Sequence, residues 1–173
     1  MAPADDVTDR PRAVVVTAST RAAAGAYADE SGPAAVAALA ALGFEVAAPL
    51  VVPDGPAVGG ALREALAGGA ALVVTTGGTG LAPDDLTPEQ TLPLLDRSLP
   101  GLAEAMRAAG LASGIPAALL SRGVAGVAGR TVIVNLPGST GGVRQGLATI
   151  GAALVHAVEQ VGGGDHPRHG HAQ

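Results

Sequence analysis

The chain has no cysteine, no lysine and no tryptophan. Without cysteine it forms no disulfide, offers no thiolate to a metal and has no thiol nucleophile. Without lysine it cannot complete a Walker A loop, and the Rossmann pattern G-x-G-x-x-G is missing from the first strand–helix turn, so neither a kinase-type nor a dinucleotide-type site is expected. Aromatic residues are nearly absent: Phe44 and Tyr27 stand alone, which leaves the core to aliphatic packing. Positive charge is also scarce. All ten basic residues are arginines against fifteen acidic ones, for a formal net charge of -5, so there is no basic face for nucleic acid. No apolar run reaches the roughly 18 residues of a membrane span, and MAPADDVTDRPR at the N-terminus contains no hydrophobic signal segment; the expected location is the cytoplasm, with no membrane partner.

What remains is a chain of 173 residues, 48% hydrophobic, whose Ala, Val and Leu come in short segments cut by glycine and proline. The length suits one domain. Residues 1–11 read as a flexible arm, 12–161 as a single domain and 162–173, GGDHPRHGHAQ with its preceding glycine, as a flexible histidine-containing tail. AVVVT (13–17), FEVAAPLVVP (44–53), ALVVTT (71–76) and TVIVN (131–135) are predicted strands. Between them the pattern predicts helices over 30–43, capped by Ser31 and stopped by Gly43, over 57–69, and near 88–97 and 101–111. AALLSRG and VAGVAGR suggest a small hairpin, and a long helix follows NLPGST. The alternation predicts a three-layer α/β/α fold, Rossmann-like, with a mostly parallel central sheet.

In such folds ligands sit beyond the carboxyl ends of the strands. TASTR (17–21), TTGGTG (75–80) and NLPGST (135–140) fall there, and two of these turns lead into a helix whose amides can receive an anion. TTGGTGLAPDD (75–85) adds two adjacent carboxylates to a glycine-rich turn. That is a nucleotide or phosphate site with a divalent metal in outline, and equally an ordinary strand-to-helix loop.

Several stretches, in order, resemble the molybdenum-cofactor biosynthesis family, in its molybdopterin adenylyltransferase (MogA-type, gephyrin G-domain-like) branch: DESGP (29–33), VPD (52–54), TTGGTGLAPDDLTPEQT from Thr75, PGLAEAMR (100–107), LSRGVAGVAGR (120–130) and IVNLPGS (133–139). The resemblance spans about residues 13–160. It implies an enzyme, usually trimeric, that binds molybdopterin and Mg-ATP, transfers AMP to the pterin's terminal phosphate and releases pyrophosphate. It also implies roles: Thr76, Gly77, Gly78, Thr79 and Gly80 around the nucleotide phosphates, Asp85 for Mg²⁺, and Asp54 as a second functional aspartate. Ser121 and Arg122, with Asn135, Pro137, Gly138 and Ser139, would face the pterin and its phosphate. The attacking group is then the substrate's own phosphate, and no protein nucleophile is required.

Two positions depart from that pattern. Asp84 stands where the branch commonly has arginine, and Thr140, Gly141 and Gly142 stand where a lysine is common; Arg144 is the nearest replacement. The alternative is therefore a non-catalytic molybdopterin-binding module. A third reading gives His166, His169 and His171 a metal-delivery role, while His156 reads as an ordinary helix residue. A separate molybdate-insertion protein is the expected downstream partner.

Overall fold

The computed structural model describes residues 10–163; the tail histidines and most of the N-terminal arm lie outside them. Seven strands form one sheet, numbered here β1 (Arg12–Ala18), β2 (Glu45–Val46), β3 (Leu50–Val52), β4 (Leu72–Thr76), β5 (Arg97–Ser98), β6 (Ala125–Ala128) and β7 (Thr131–Leu136). The helices are α1 (Thr20–Ala23), α2 (Ser31–Ala41), α3 (Pro56–Ala67), α4 (Thr87–Thr91), α5 (Pro100–Ala112) and α6 (Thr140–Val161). The strand order is β2-β1-β4-β7-β6-β5, with β3 also on β1. β1, β4 and β7 run parallel at the centre, and the β5–β6–β7 edge is antiparallel. The three-layer α/β fold expected from the sequence is the fold observed.

The central strands carry the core on both faces, which is why they read as unbroken apolar runs. Ala13, Val15, Leu72, Val74, Val132 and Val134 meet α2 and α6 through Leu39, Leu147, Ile150 and Leu154. The alternate residues Val16, Val73 and Ile133 meet α3 through Val58, Ala61 and Leu62. Each strand thus serves two aliphatic cores by its period of two.

Four local expectations change. The strand predicted over 44–53 is split. β2 pairs with Arg12 and Ala13, β3 pairs from Val16 onward, and the interval holds one residue more on the outer chain than on β1. Pro49, which has no N–H to donate, falls in that interval. Ser31 does not cap α2. Glu30 holds the N-cap position without a side-chain bond, and Asp29 just before it accepts from Gly32 N at 3.0 Å, while the Ser31 hydroxyl pairs with Thr76 Oγ1 at 2.6 Å. The helix near 88–97 ends at Thr91, passes into a 3-10 turn over Leu92–Leu94 that contains Pro93, and gives way to β5. AALLSRG contributes no strand, because Pro116–Leu120 is a 3-10 turn; the hairpin is β6–β7, closed by Gly129 (φ +58°) and Arg130.

At the amino ends of the parallel strands a shallow hollow of about 800 Å³ is lined by Pro11, Ala71, Thr131 and Gly162, among others. The opposite, carboxyl end carries the loops described next. No helix among the described residues is long and apolar enough to cross a membrane.

Candidate functional site

β4 ends at Thr76, and the chain turns at once through Gly77 (φ +87°) and Gly78 (φ +63°), two successive residues in the left-handed region that only glycine enters cheaply. A side chain on Gly77 would also strike the carbonyl of Ala18 at the end of β1. The turn is therefore glycine for two independent reasons, conformation and close approach. The side of Gly78 is filled by Thr87, whose buried hydroxyl has no hydrogen-bond partner and whose N–H donates to Gly78 O at 3.0 Å.

The neighbouring strand β7 ends in Leu136, and Pro137 and Gly138 lead to Ser139, the N-cap of α6. Its hydroxyl accepts from Gly142 N at 3.1 Å. The first turn of this 22-residue helix thus opens beside the glycine turn of β4, an arrangement suited to an anion.

The two aspartates have different surroundings. Asp85 lines a cavity beside the glycine turn and is held by Ala82 N, which donates to Oδ2 at 2.9 Å. Asp54 Oδ2 accepts from Thr20 N at 2.8 Å and from Thr20 Oγ1 at 2.9 Å, so Asp54 ties β3 to α1. Its other oxygen faces Gly78, lying 3.3 Å from where a Cβ on that glycine would stand. Among the described residues no three His, Asp or Glu side chains cluster to hold a metal. One carboxylate beside a glycine-rich turn nevertheless suits Mg²⁺, which is commonly shared between one or two carboxylates, substrate phosphates and water.

Arg122 braces the loop. Its backbone N–H donates to Thr79 O at 2.9 Å and its Nε to Gly80 O at 2.8 Å; the remaining guanidinium donors reach Asp85 O and the Glu89 carboxylate. The cavity wall here is formed by its neighbours Ser121 and Gly123. Arg122 thus holds Asp85 and the glycine loop in register, and its hydrogen bond holds the Glu89 carboxyl below the usual range. Asn135 is also engaged within the protein: Nδ2 donates to Thr75 Oγ1 and Thr91 Oγ1, both at 3.0 Å, and Oδ1 accepts from Val124 N at 3.2 Å. It reaches the cavity with both amide donors used, as a bolt between β4, α4 and the segment just before β6.

Two cavities meet at these loops. The first, about 550 Å³, is lined by Gly77, Gly78, Thr79, Gly80, Asp85, Ser121, Asn135, Pro137, Gly138 and Ser139, which brings nearly all the sequence-predicted residues together. Its inner wall comes from α5 and α6, with Met106, Gly110 and Gly146. Arg107 is the cation on that wall, its Nη1 donating to Ser121 O and Gly123 O at 3.3 Å. Sequence reasoning missed it as a site residue because it lies within a helix, although PGLAEAMR ends on it. The second cavity, about 480 Å³, lies on the β1 side and is lined by Thr17, Ser19, Tyr27, Asp29, Glu30, Ser31 and Thr76. Gly77, Gly138 and Ser139 belong to both cavities. Asp84 is exposed and belongs to neither.

Residues 14–157 match the family model described as "Probable molybdopterin binding domain". A molybdopterin adenylyltransferase of Pyrococcus furiosus is 38% identical over 149 residues, covering 84% of this chain and 88% of its own. A molybdenum cofactor biosynthesis bifunctional protein of Chlorobaculum tepidum is 38% identical over 157 residues, covering 90% of this chain and 50% of its own. The chain spans about half the length of such bifunctional relatives. The solved structure of the molybdopterin biosynthesis Mog protein from Mycobacterium ulcerans superposes with a TM-score of 0.83 at 48% identity, covering 89% of this chain and 98% of that one.

Proposed function

Because the chain belongs to the molybdopterin-binding-domain family of molybdenum cofactor biosynthesis, we propose that it is a molybdopterin adenylyltransferase, moving AMP from Mg-ATP to the terminal phosphate of molybdopterin with release of pyrophosphate. The observation that carries this reading is the pair of cavities sharing Gly77, Gly138 and Ser139. Two phosphate-bearing substrates can meet there over backbone amides and the N-terminus of α6. An oxygen of the pterin phosphate attacks the α-phosphorus of ATP, the bond from that phosphorus to the β-phosphate oxygen breaks, and pyrophosphate leaves. Such a step asks the protein for positioning and charge stabilisation rather than a nucleophile.

In this reading Gly77 to Gly80 cradle the nucleotide phosphates, with Thr76 holding the strand end beneath them. Asp85 holds Mg²⁺, which when bound neutralises charge on the phosphates. Asp54 positions the glycine turn from behind. Ser121, Pro137, Gly138 and Ser139 border the pterin, and Arg122 and Asn135 fix the loops that do so. The test is pyrophosphate release from ATP that requires both Mg²⁺ and molybdopterin.

The non-catalytic alternative is favoured by one observation, that among the described residues Arg107 is the only cation lining the first cavity; pterin binding without pyrophosphate release would establish it. The working assembly proposed is a homotrimer of a domain spanning 12–161. Its support is the exposed apolar side chains of Leu111 and Leu119 around the end of α5, outside the first cavity that Ile115 and Leu120 line. The setting proposed is the cytoplasm, upstream of a molybdate-inserting protein.

A further inference from the structure

Thr87 is fully buried at the start of α4, and among the described residues its hydroxyl is the one buried side-chain oxygen without a hydrogen-bond partner. Valine has nearly the same shape and would fill the place without cost, whereas a buried donor that loses water and gains nothing in exchange destabilises the fold. A hydroxyl kept there calls for a use.

The backbone of Thr87 is clamped from both sides. Its N–H donates to Gly78 O at 3.0 Å, and its carbonyl accepts from Thr91 Oγ1 at 2.8 Å, an oxygen that itself accepts from Asn135 Nδ2 at 3.0 Å. The residue is thereby fixed between the glycine turn of β4 and the end of β7, and this frame sets where the hydroxyl points. It faces the side of Gly78 on which a Cβ would stand, and Asp54 Oδ1 faces the same side, 3.3 Å from that Cβ position. Asp54 Oδ2 is taken by Thr20 N and Thr20 Oγ1, so Oδ1 is the oxygen with room to accept. A donor in need of an acceptor and an acceptor with room for a donor converge on one glycine.

We propose that Thr87 is a positioning residue: its hydroxyl, joined to Asp54 Oδ1 by a hydrogen bond or one bridging water, forms a strut across Gly78. The strut fixes the left-handed turn (φ +63°) and so aims the amides of Gly77–Gly80. Thr87 lines neither cavity and acts through Gly78 and Asp54. For its effect on turnover the proposal rests on the adenylyltransferase reading; its effect on stability is independent of that reading. Amides aimed at developing charge are felt more in the transition state than in substrate binding.

The test compares wild type with Thr87→Val, which keeps the shape and removes the hydroxyl, Thr87→Ser, which keeps the hydroxyl, Asp54→Ala, and the double change of Thr87→Val with Asp54→Ala. Urea unfolding is followed by circular dichroism, and pyrophosphate release gives kcat and the KM for ATP. Thr87→Val should lower the urea midpoint and reduce kcat roughly tenfold, with KM held within about twofold. Thr87→Ser should bring kcat back to within about threefold of wild type. A packing defect alone would not be repaired by serine, the smaller side chain. With Asp54→Ala already in place, Thr87→Val should lower neither midpoint nor kcat further. A raised midpoint and unchanged kcat in Thr87→Val show an idle hydroxyl and overturn the proposal, leaving the adenylyltransferase reading standing. Equal losses with and without Asp54→Ala also overturn it, because the hydroxyl then works without Asp54. If the wild-type protein releases no pyrophosphate, the adenylyltransferase reading falls, and the urea midpoints alone decide for or against the strut.

Discussion

Gly138 stands directly against Gly77, so close that a Cβ on Gly138 would lie 3.1 Å from the Gly77 Cα. Two loops from neighbouring strands therefore pack backbone to backbone, and both cavities are lined by the residues at this contact. Gly138→Ala asks for a shift of a few tenths of an ångström at the point where the proposed reading brings the two substrates together. The variant should stay folded and bind each substrate within a few-fold of wild type, while turnover falls roughly tenfold or more, as expected for a small misplacement of reacting groups. Separate binding titrations beside pyrophosphate release measure the split; equal loss in all three would place the effect in folding. Gly77→Ala is the harsher change, since it meets both a positive φ and the Ala18 carbonyl. It should cost about 2 kcal/mol or more in urea unfolding.

Asp85→Asn should separate binding from chemistry. An asparagine Oδ1 can still accept from Ala82 N, so the loop keeps its hydrogen bond. Adenylyl transfer should drop roughly a hundredfold or more, the scale of losing one charge-stabilising group, with pterin affinity nearly unchanged. Near-normal turnover at saturating Mg²⁺ would remove Asp85 from metal handling.

The Arg122–Glu89 pair sets a pH dependence with a definite sign. Hydrogen bonding from Arg122 lowers the folded-state pKa of Glu89 against a smaller opposing effect of burial. The contribution to stability is therefore present above the ordinary glutamate range and is lost as pH falls through the lowered folded value. Thermal melts of wild type and Glu89→Gln should differ most near neutrality and converge in acid. Both groups are substantially exposed, at 35% and 45%, so the difference should be small and should shrink with salt. Arg122→Gln also gives up the bonds to Gly80 O and Asp85 O, so it should raise the Mg²⁺ concentration needed for half-maximal activity; an unchanged Mg²⁺ requirement would show that the brace does not position Asp85.

Sedimentation at micromolar concentration should give a single trimer-mass species. Placing charge on the exposed apolar surface, as in Leu119→Asp, should dissociate it while leaving the monomer's fold intact by circular dichroism. A wild-type monomer would overturn the assembly, and a Leu119→Asp trimer would move the interface elsewhere.

The central strands are legible in the sequence because burial on both faces confines polar residues to the strand ends, as in AVVVT and TVIVN. The glycine turn was legible because positive φ and close backbone approach leave few alternatives to glycine. Residues whose work depends on distant partners were harder to place. Arg122 looks like a phosphate ligand in one dimension, but its partners, Gly80, Asp85 and Glu89, lie more than thirty positions away. Arg107 enters the site only because α5 crosses behind Ser121 and Gly123. The charge reversal at Asp84 suggested an acidic burden on the phosphates; its exposed place outside both cavities makes Asp84→Arg a mild change. Ser31 reads as the cap of α2 because serine is a good capping type, but it is the first helical residue: Thr76, forty-five positions on, pairs with its hydroxyl, and Asp29, just before the Glu30 N-cap, accepts from Gly32 N instead.

Pro11 and Gly162 border the same hollow at the amino ends of the strands, a full sheet length away from Gly77 and Ser139. Residues Pro11 and Gly162 thus lie at the floor of the described fold, and attachments at these points stand clear of the two cavities at the opposite end. A cargo protein, an affinity handle or a surface tether attached at either point should leave substrate access unobstructed, which makes the domain a ready module for assembly into longer chains.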